Sequence, residues 1–570
     1  MARDDWKDRV AAKRRQQLES IPKDWILADI PDKSQLDISD YPRTCGLLTN
    51  RELEITESHV DVILSNVAKG NWSSVEVTTA FSKRAIIAHQ LVNCLTEIFI
   101  ESALARAATL DDHFKRTGKV VGPLHGKMIP YLLTSIIIFN ALYRSPGFGY
   151  VAWIDKPATK NAVIADILES LGAVLYVKTN VPQTLGWGET HNNIFGRTLN
   201  PFNRTLTAGG SSGGEGALIA LKGSPLGVGT DIGGSIRIPA GFNDLYGLRT
   251  SYNRLPFAGC VRPSGEGQNS IIGVLGPMAT SMEGVKTFMK SLLSKEPWEY
   301  DALVVHKQWN EDEYRLADHN NGKELCFAIM WDDGTTVPHP PVTRGLEITK
   351  AALLQAGHRV IDWQPIRHPD ICKLASQILG ATGNTDVKAV LAESGEPFIT
   401  TMAVDAENVD QENSAQISSH GPPGGLSASE YWQLNVQQSD LRQLYLDRWR
   451  ETAAVTGTGR PVDAIICPVA PFVAPPHGKN TNYDYTFVWN VLDYPSCVVP
   501  VGSTVDPLLD AKKSRESFYS EADRRNWEAY EPSSFENAPI GIQVVCRTLE
   551  DEAVVGLSEF VDNAIKAYKA

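Results

Sequence analysis

The chain has 570 residues and a net charge of −13, with 42% hydrophobic and 21% charged residues, the profile of a globular protein with room for a large core. The acidic balance excludes the basic surface that a nucleic-acid partner requires. Eight cysteines are scattered without a C-x-x-C pair, which argues against a zinc or disulfide framework and for free thiols in a reducing compartment.

In chain order, the first fifteen residues are charged and no apolar run follows them, so a secretory leader is not expected. Residues 1–70 read as an N-terminal helical segment packed on the core. Apolar residues recur at helical spacing over 58–68 and again over 75–90. An apolar burst over 131–142 is shorter than the roughly 20 residues that a membrane helix needs. With no lipidation or peroxisomal address at the C-terminus, the expectation is a soluble cytoplasmic protein without a membrane partner.

From about 95 to 300, short β-branched runs such as 173–177 and 227–230 alternate with helical segments, one of them ending near Ser170. The stretch 300–440 is more helical and polar. Its Gly-, Pro- and Ser-rich piece, 404–427, reads as a surface loop within a lid-like insert at about 385–430. Strands return at 464–468, 497–501 and 540–545, and the charged stretch 506–531 interrupts them. The expected fold class is α/β. It consists of a single large domain over 71–570, with a central mixed, twisted sheet covered by helices on both faces.

Two glycine-bracketed serines carry the chemistry. Gly209-Gly210-Ser211-Ser212-Gly213-Gly214-Glu215-Gly216 is followed, with Ser235 placed 24 positions after Ser211, by Gly229-Thr230-Asp231-Ile232-Gly233-Gly234-Ser235-Ile236-Arg237. Glycine removes side chains so that several N–H groups can converge beside a nucleophile, as an oxyanion hole demands. A phosphate loop would end in Gly-Lys-Ser/Thr, and here Glu215 takes that place. A G-x-S-x-G elbow centred on Ser212 also fits formally, but it leaves the second serine motif unexplained.

These residues resemble the amidase signature family, in which a serine, a second serine on a cis peptide and a lysine act together. The pattern G-G-S-S-G-G-E-G and the distal D-I-G-G-S-I-R are both intact. The likeness extends to Gly122–Gly126, Val177–Thr184, Tyr246–Arg249 and Ala538–Val544, and within the family it is strongest to the fungal acetamidase or general amidase branch. The resemblance implies Ser235 as nucleophile and Ser211, on a cis bond, as proton relay. It implies the backbone N–H groups of Ile232, Gly233, Gly234 and Ser235 as oxyanion donors, and Asp231–Arg237 as an ion pair holding the loop. Trp187, Glu189 and Asn192 are candidate pocket residues, and a packing role is equally open for each. The implied reaction, amide plus water to carboxylate plus ammonia or amine on small aliphatic or aryl amides, needs no cofactor and no metal. Its partner is the small-molecule amide, with a homodimer as candidate assembly.

The lysine base belongs six residues after the glycine of His125-Gly126. That position holds Leu132, which cannot accept a proton. Lys127 lies five positions early, on the opposite side of a strand. Lys178 matches a family lysine that is not the base, and Lys156 and Lys160 read as surface charges. The alternative to a working amidase is a catalytically impaired relative, or a gene model that translates intronic sequence between Lys127 and Phe148.

Overall fold

Local signals set the helix boundaries. Ser73 accepts from the Glu76 N–H while the Glu76 carboxylate accepts from the Ser73 N–H, a reciprocal cap that starts the helix Ser74–Val92. The same device, from Thr49 and Glu52, opens Asn50–Glu57, and from Ser427 and Glu430 it opens Ala428–Glu451. The expected helices at 58–68 and 75–90 are observed at Val60–Ala68 and Ser74–Val92, and the helix expected to end near Ser170 is Val163–Ser170. The computed structural model describes residues 6–126, 128–131, 149–154, 156, 160–262, 264–402, 422 and 424–570.

Among the described residues, thirteen strands follow in chain order: β1 (Leu95–Ile98), β2 (Met128–Tyr131), β3 (Val174–Thr179), β4 (His191–Asn192), β5 (Gly196–Arg197), β6 (Leu226–Asp231), β7 (Tyr246–Arg249), β8 (Val274–Ala279), β9 (Cys326–Ile329), β10 (Arg359–Asp362), β11 (Ala464–Pro468), β12 (Ser496–Thr504) and β13 (Pro539–Val545). Apart from the β4–β5 pair, they form one mixed sheet in the order β1-β3-β2-β6-β8-β7-β12-β13-β11-β9-β10. β2 pairs in parallel with both β3 and β6, whereas β6 pairs antiparallel with β8. The loop leaving the C-terminal end of β6 therefore sits where the strand direction changes. The charged stretch expected to interrupt the last strands lies between β12 and β13.

Alternation along the strands divides the core into layers, because successive side chains point to opposite faces. Leu175 joins one apolar cluster, while Val174 and Tyr176 join another with the helix Ser74–Val92. Ile466 and Phe327 share the first cluster; their neighbours Ile465 and Ala328 pack instead with the helices His368–Leu379 and Asp484–Leu492. One face is thus a continuous core under Met282–Leu293, Pro340–Gln355 and Asp551–Lys569. The other face is covered in two halves. Ile21, Trp25, Ile38, Ile55 and Ile63 from the N-terminal segment lie in the same cluster as the helix Ser74–Val92. All eight cysteines are free thiols, six of them buried. Among the described residues, no helix is long and apolar enough to cross a membrane.

Candidate active site

β6, buried along its whole length, delivers Thr230 and Asp231 to the first residues of the second serine motif. The loop 232–236 then leads into the short helix Arg237–Phe242. The first motif approaches from the other side, where residues 209–212 precede the helix Gly213–Ala220. The two loops are joined through the backbone, since the Ser212 N–H donates to the Ser235 carbonyl at 3.2 Å. Ser211 is buried, and the Gly210–Ser211 peptide is cis. Ser235, Ile232 and Gly233 are only half-buried.

Close approach explains the glycine at 210. A Cβ there would stand 2.5 Å from the Trp187 carbonyl and 2.6 Å from the Glu189 nitrogen, nearer than real contacts allow. Gly234 adopts φ +126, a backbone that other residues avoid. Thr190 stitches the first loop, its hydroxyl donating to Gly209 O at 2.9 Å and accepting from the Gly213 N–H at 3.1 Å. Glu215, at the end of the motif, is wholly buried and receives the Thr179 hydroxyl at 3.0 Å. Burial pushes its carboxyl far above the usual range, against the hydrogen bonds from the Thr179 hydroxyl and the Val228 N–H, which lower it.

The second loop is held by charge. Asp231 and Arg237 form a fully buried pair, with Nη2 to Oδ1 at 3.0 Å and Nε to Oδ2 at 3.1 Å. The carboxylate also accepts from the N–H groups of Gly234, at 2.8 Å, and Ile236, at 3.2 Å. Asn490 bridges the pair: its Nδ2 donates to Asp231 Oδ1 at 2.9 Å, and its Oδ1 accepts from Arg237 at 2.6 Å. Gln543 on β13 accepts from Arg237 Nη1 at 3.1 Å. Burial alone would raise the Asp231 carboxyl, but Arg237 and Asn490 outweigh it and hold it down at about 2. Gly234 departs from the oxyanion expectation, because its N–H is spent on Asp231 at 2.8 Å. The N–H groups of Ile232, Gly233 and Ser235 donate to no protein acceptor among the described residues.

The remaining expected residues separate into distinct roles. Glu189 is buried in an ion pair with Arg197, accepts from the Gly478 N–H at 2.8 Å and meets His477 Nδ1 at 2.8 Å. Asn192 spends its amide on Asn180 Oδ1 and Val181 O, both at 2.7 Å, and its carbonyl oxygen accepts from the N–H groups of Ile194 and Phe195. These bonds make both residues braces of their loop rather than pocket groups, because their polar atoms are already engaged. Trp187 is half-buried beside Gly210. Lys178 is buried on β3, Lys156 pairs with Glu393 at 2.5 Å near the surface, and Lys160 is exposed. Lys127, Leu132 and most of the expected loop 404–427 lie outside the described residues. Among the described residues, no group of three His, Cys, Asp or Glu is placed to hold a metal ion.

Sequence reasoning missed Thr190, Thr486, Asn490 and Gln543. Gln543 lies in one of the segments resembling the family, but nothing local reveals that its amide reaches Arg237 across 306 positions.

Known proteins resemble this chain in sequence and in fold. The family model described as Amidase matches residues 76–555. The chain is 40% identical to an acetamidase of Aspergillus oryzae over 557 residues, covering 98% of each protein. It is likewise 40% identical to an acetamidase of Emericella nidulans over 559 residues, covering 98% of this chain and 97% of that one. Its structure is similar to that of a solved fatty acid amide hydrolase, with a TM-score of 0.88, 32% identity, and coverage of 99% of this chain and 95% of the other. The chain belongs to the amidase family of amide hydrolases.

Proposed function

We propose that Ser235 attacks the carbonyl carbon of a small aliphatic or aryl amide while Ser211 relays its proton. The tetrahedral oxyanion then lies against the N–H groups of Ile232, Gly233 and Ser235. Collapse expels ammonia or an amine, which takes up the relayed proton, and leaves an acyl ester on Ser235. Water hydrolyses that ester to the carboxylate and restores the serine. The observation that carries this reading is a half-buried serine beside three N–H groups without protein acceptors among the described residues. Gly234 takes part by ordering the loop, since its N–H serves Asp231.

Small amides are favoured by the 40% identity to proteins named acetamidase across nearly the full chain. The relay requires a base, and Leu132 occupies the position that the family resemblance gives to a lysine. Amide turnover by the chain is accordingly slow. A positioned general base contributes about 10²- to 10⁴-fold, so Leu132→Lys raises turnover by about 10²-fold or more. The gain increases towards alkaline pH as the lysine loses its proton.

The direct test is covalent labelling by a fluorophosphonate, followed by mapping of the modified peptide. Label on Ser235, absent from Ser235→Ala, is the expected result. Label elsewhere, or none, overturns the assignment.

A further inference from the structure

The donors proposed at Ser235 work only if their peptides are aimed, and one of those peptides is gripped at both ends. The Gly233 carbonyl accepts from the Thr486 hydroxyl at 2.7 Å, and the N–H of the same peptide, on Gly234, donates to Asp231 at 2.8 Å. Thr486 is fully buried in the helix Asp484–Leu492. Asn490 follows one turn later, so both side chains leave the same face. One helix thus holds the loop at a carbonyl through Thr486 and at a carboxylate through Asn490. That helix is itself anchored, with Gln543 donating to the Tyr485 carbonyl at 2.8 Å and the Tyr485 hydroxyl donating to Thr336 O at 2.5 Å.

The fit leaves no slack. A Cβ on Gly234 would stand 2.2 Å from the Thr486 hydroxyl oxygen. The hydroxyl has one proton and two carbonyls in reach, Gly233 at 2.7 Å and Tyr483 at 3.0 Å. The shorter bond ties the loop, and the longer one returns to the helix's own first turn.

We infer that Thr486 is a positioning residue for amide hydrolysis, setting the plane of the Gly233–Gly234 peptide. Tied at its carbonyl by Thr486 and at its N–H by Asp231, that peptide fixes the Cα positions of Gly233 and Gly234, from which the flanking peptides carrying the Gly233 and Ser235 N–H groups extend; releasing one tie lets those peptides shift. Thr486 touches no reacting atom in this role; it acts through the loop. The inference rests on the assignment of Ser235 as nucleophile.

Thr486→Val keeps the shape and removes the donor, whereas Thr486→Ser keeps the donor and removes a methyl. The rate and half-saturation of fluorophosphonate labelling are measured for wild type, both variants and Ser235→Ala, alongside melting midpoints. Losing a whole oxyanion donor costs about 10²- to 10³-fold, so misaiming donors in Thr486→Val slows maximal labelling about tenfold or more, without a matching change in half-saturation. Thr486→Ser returns to within about threefold of wild type, because the tie is the hydroxyl. Labelling of Thr486→Val at the wild-type rate overturns the inference. So does a Thr486→Ser variant as slow as Thr486→Val, which would assign the effect to methyl packing. Failure of the underlying Ser235 reading has a different signature, namely wild type labelling no faster than Ser235→Ala. Amide hydrogen exchange across 229–237 then decides the tie by itself: faster exchange in Thr486→Val supports it, and unchanged exchange overturns it.

Discussion

The two serine loops are joined by the bond from the Ser212 N–H to the Ser235 carbonyl but are built on opposite physical principles. The loop around Ser211 is held by neutral groups, with the Thr190 hydroxyl lying between Gly209 O and the Gly213 N–H and side-chain-free glycine allowing backbone to touch backbone. The loop around Ser235 is wrapped about a buried ion pair, in which the Asp231 carboxylate collects Arg237, Asn490 and two backbone N–H groups. The contrast follows from exposure. Ser211 is buried, so steric fit can hold its loop. Ser235, Ile232 and Gly233 are half-exposed, so their loop needs directional anchors beneath it. A buried charge pair supplies direction, because each partner is costly to leave alone.

That contrast can be broken experimentally. The largest expected difference is in covalent chemistry, measured in a Leu132→Lys background that restores the base: Ser235→Ala abolishes fluorophosphonate labelling, whereas Ser211→Ala leaves it detectable but about 10²-fold slower, as loss of the relay to that base implies. Equal loss in both variants would mean that the loops do not divide the work as proposed. Next in size is stability. Arg237→Met strands the Asp231 carboxylate in the core and costs about 3–5 kcal/mol, measured by urea unfolding at pH 7. Thr190→Val removes a neutral hydroxyl from the other loop and costs about 1–3 kcal/mol in the same assay. Equal costs would erase the distinction between ionic and neutral anchoring.

The smallest effect is the acid dependence. Folding holds the Asp231 carboxyl at about 2, below its ordinary value of 3.8, so the unfolded chain takes up this proton first. The contribution of Asp231 is complete above about pH 4 and is lost as the pH falls towards 2. The wild-type advantage over Arg237→Met therefore narrows in that window, while the advantage over Thr190→Val does not. Unfolding curves collected at pH 5, 4 and 3 check this.

What the chain alone determined was local in kind. Its helical spacing placed Val60–Ala68 and Ser74–Val92, and its β-branched runs placed β3, β6, β11, β12 and β13, because period and side-chain shape are properties of neighbouring residues. The glycine-serine motifs were legible for the same reason: a backbone that must crowd or take positive φ selects glycine at each position by itself. Tertiary structure alone decided which side chains serve those loops. Asn490 and Gln543 reach Arg237 from 253 and 306 positions away, and Glu189 and Asn192, for which pocket and packing roles were equally open, are drawn into braces by Arg197, Asn180 and Val181. It also decided that Gly234 turns its N–H to Asp231, while the N–H groups of Gly233 and Ser235 meet no protein acceptor among the described residues. A hydrogen bond is specified by direction in space, and no spacing along the chain encodes the direction in which a distant partner arrives.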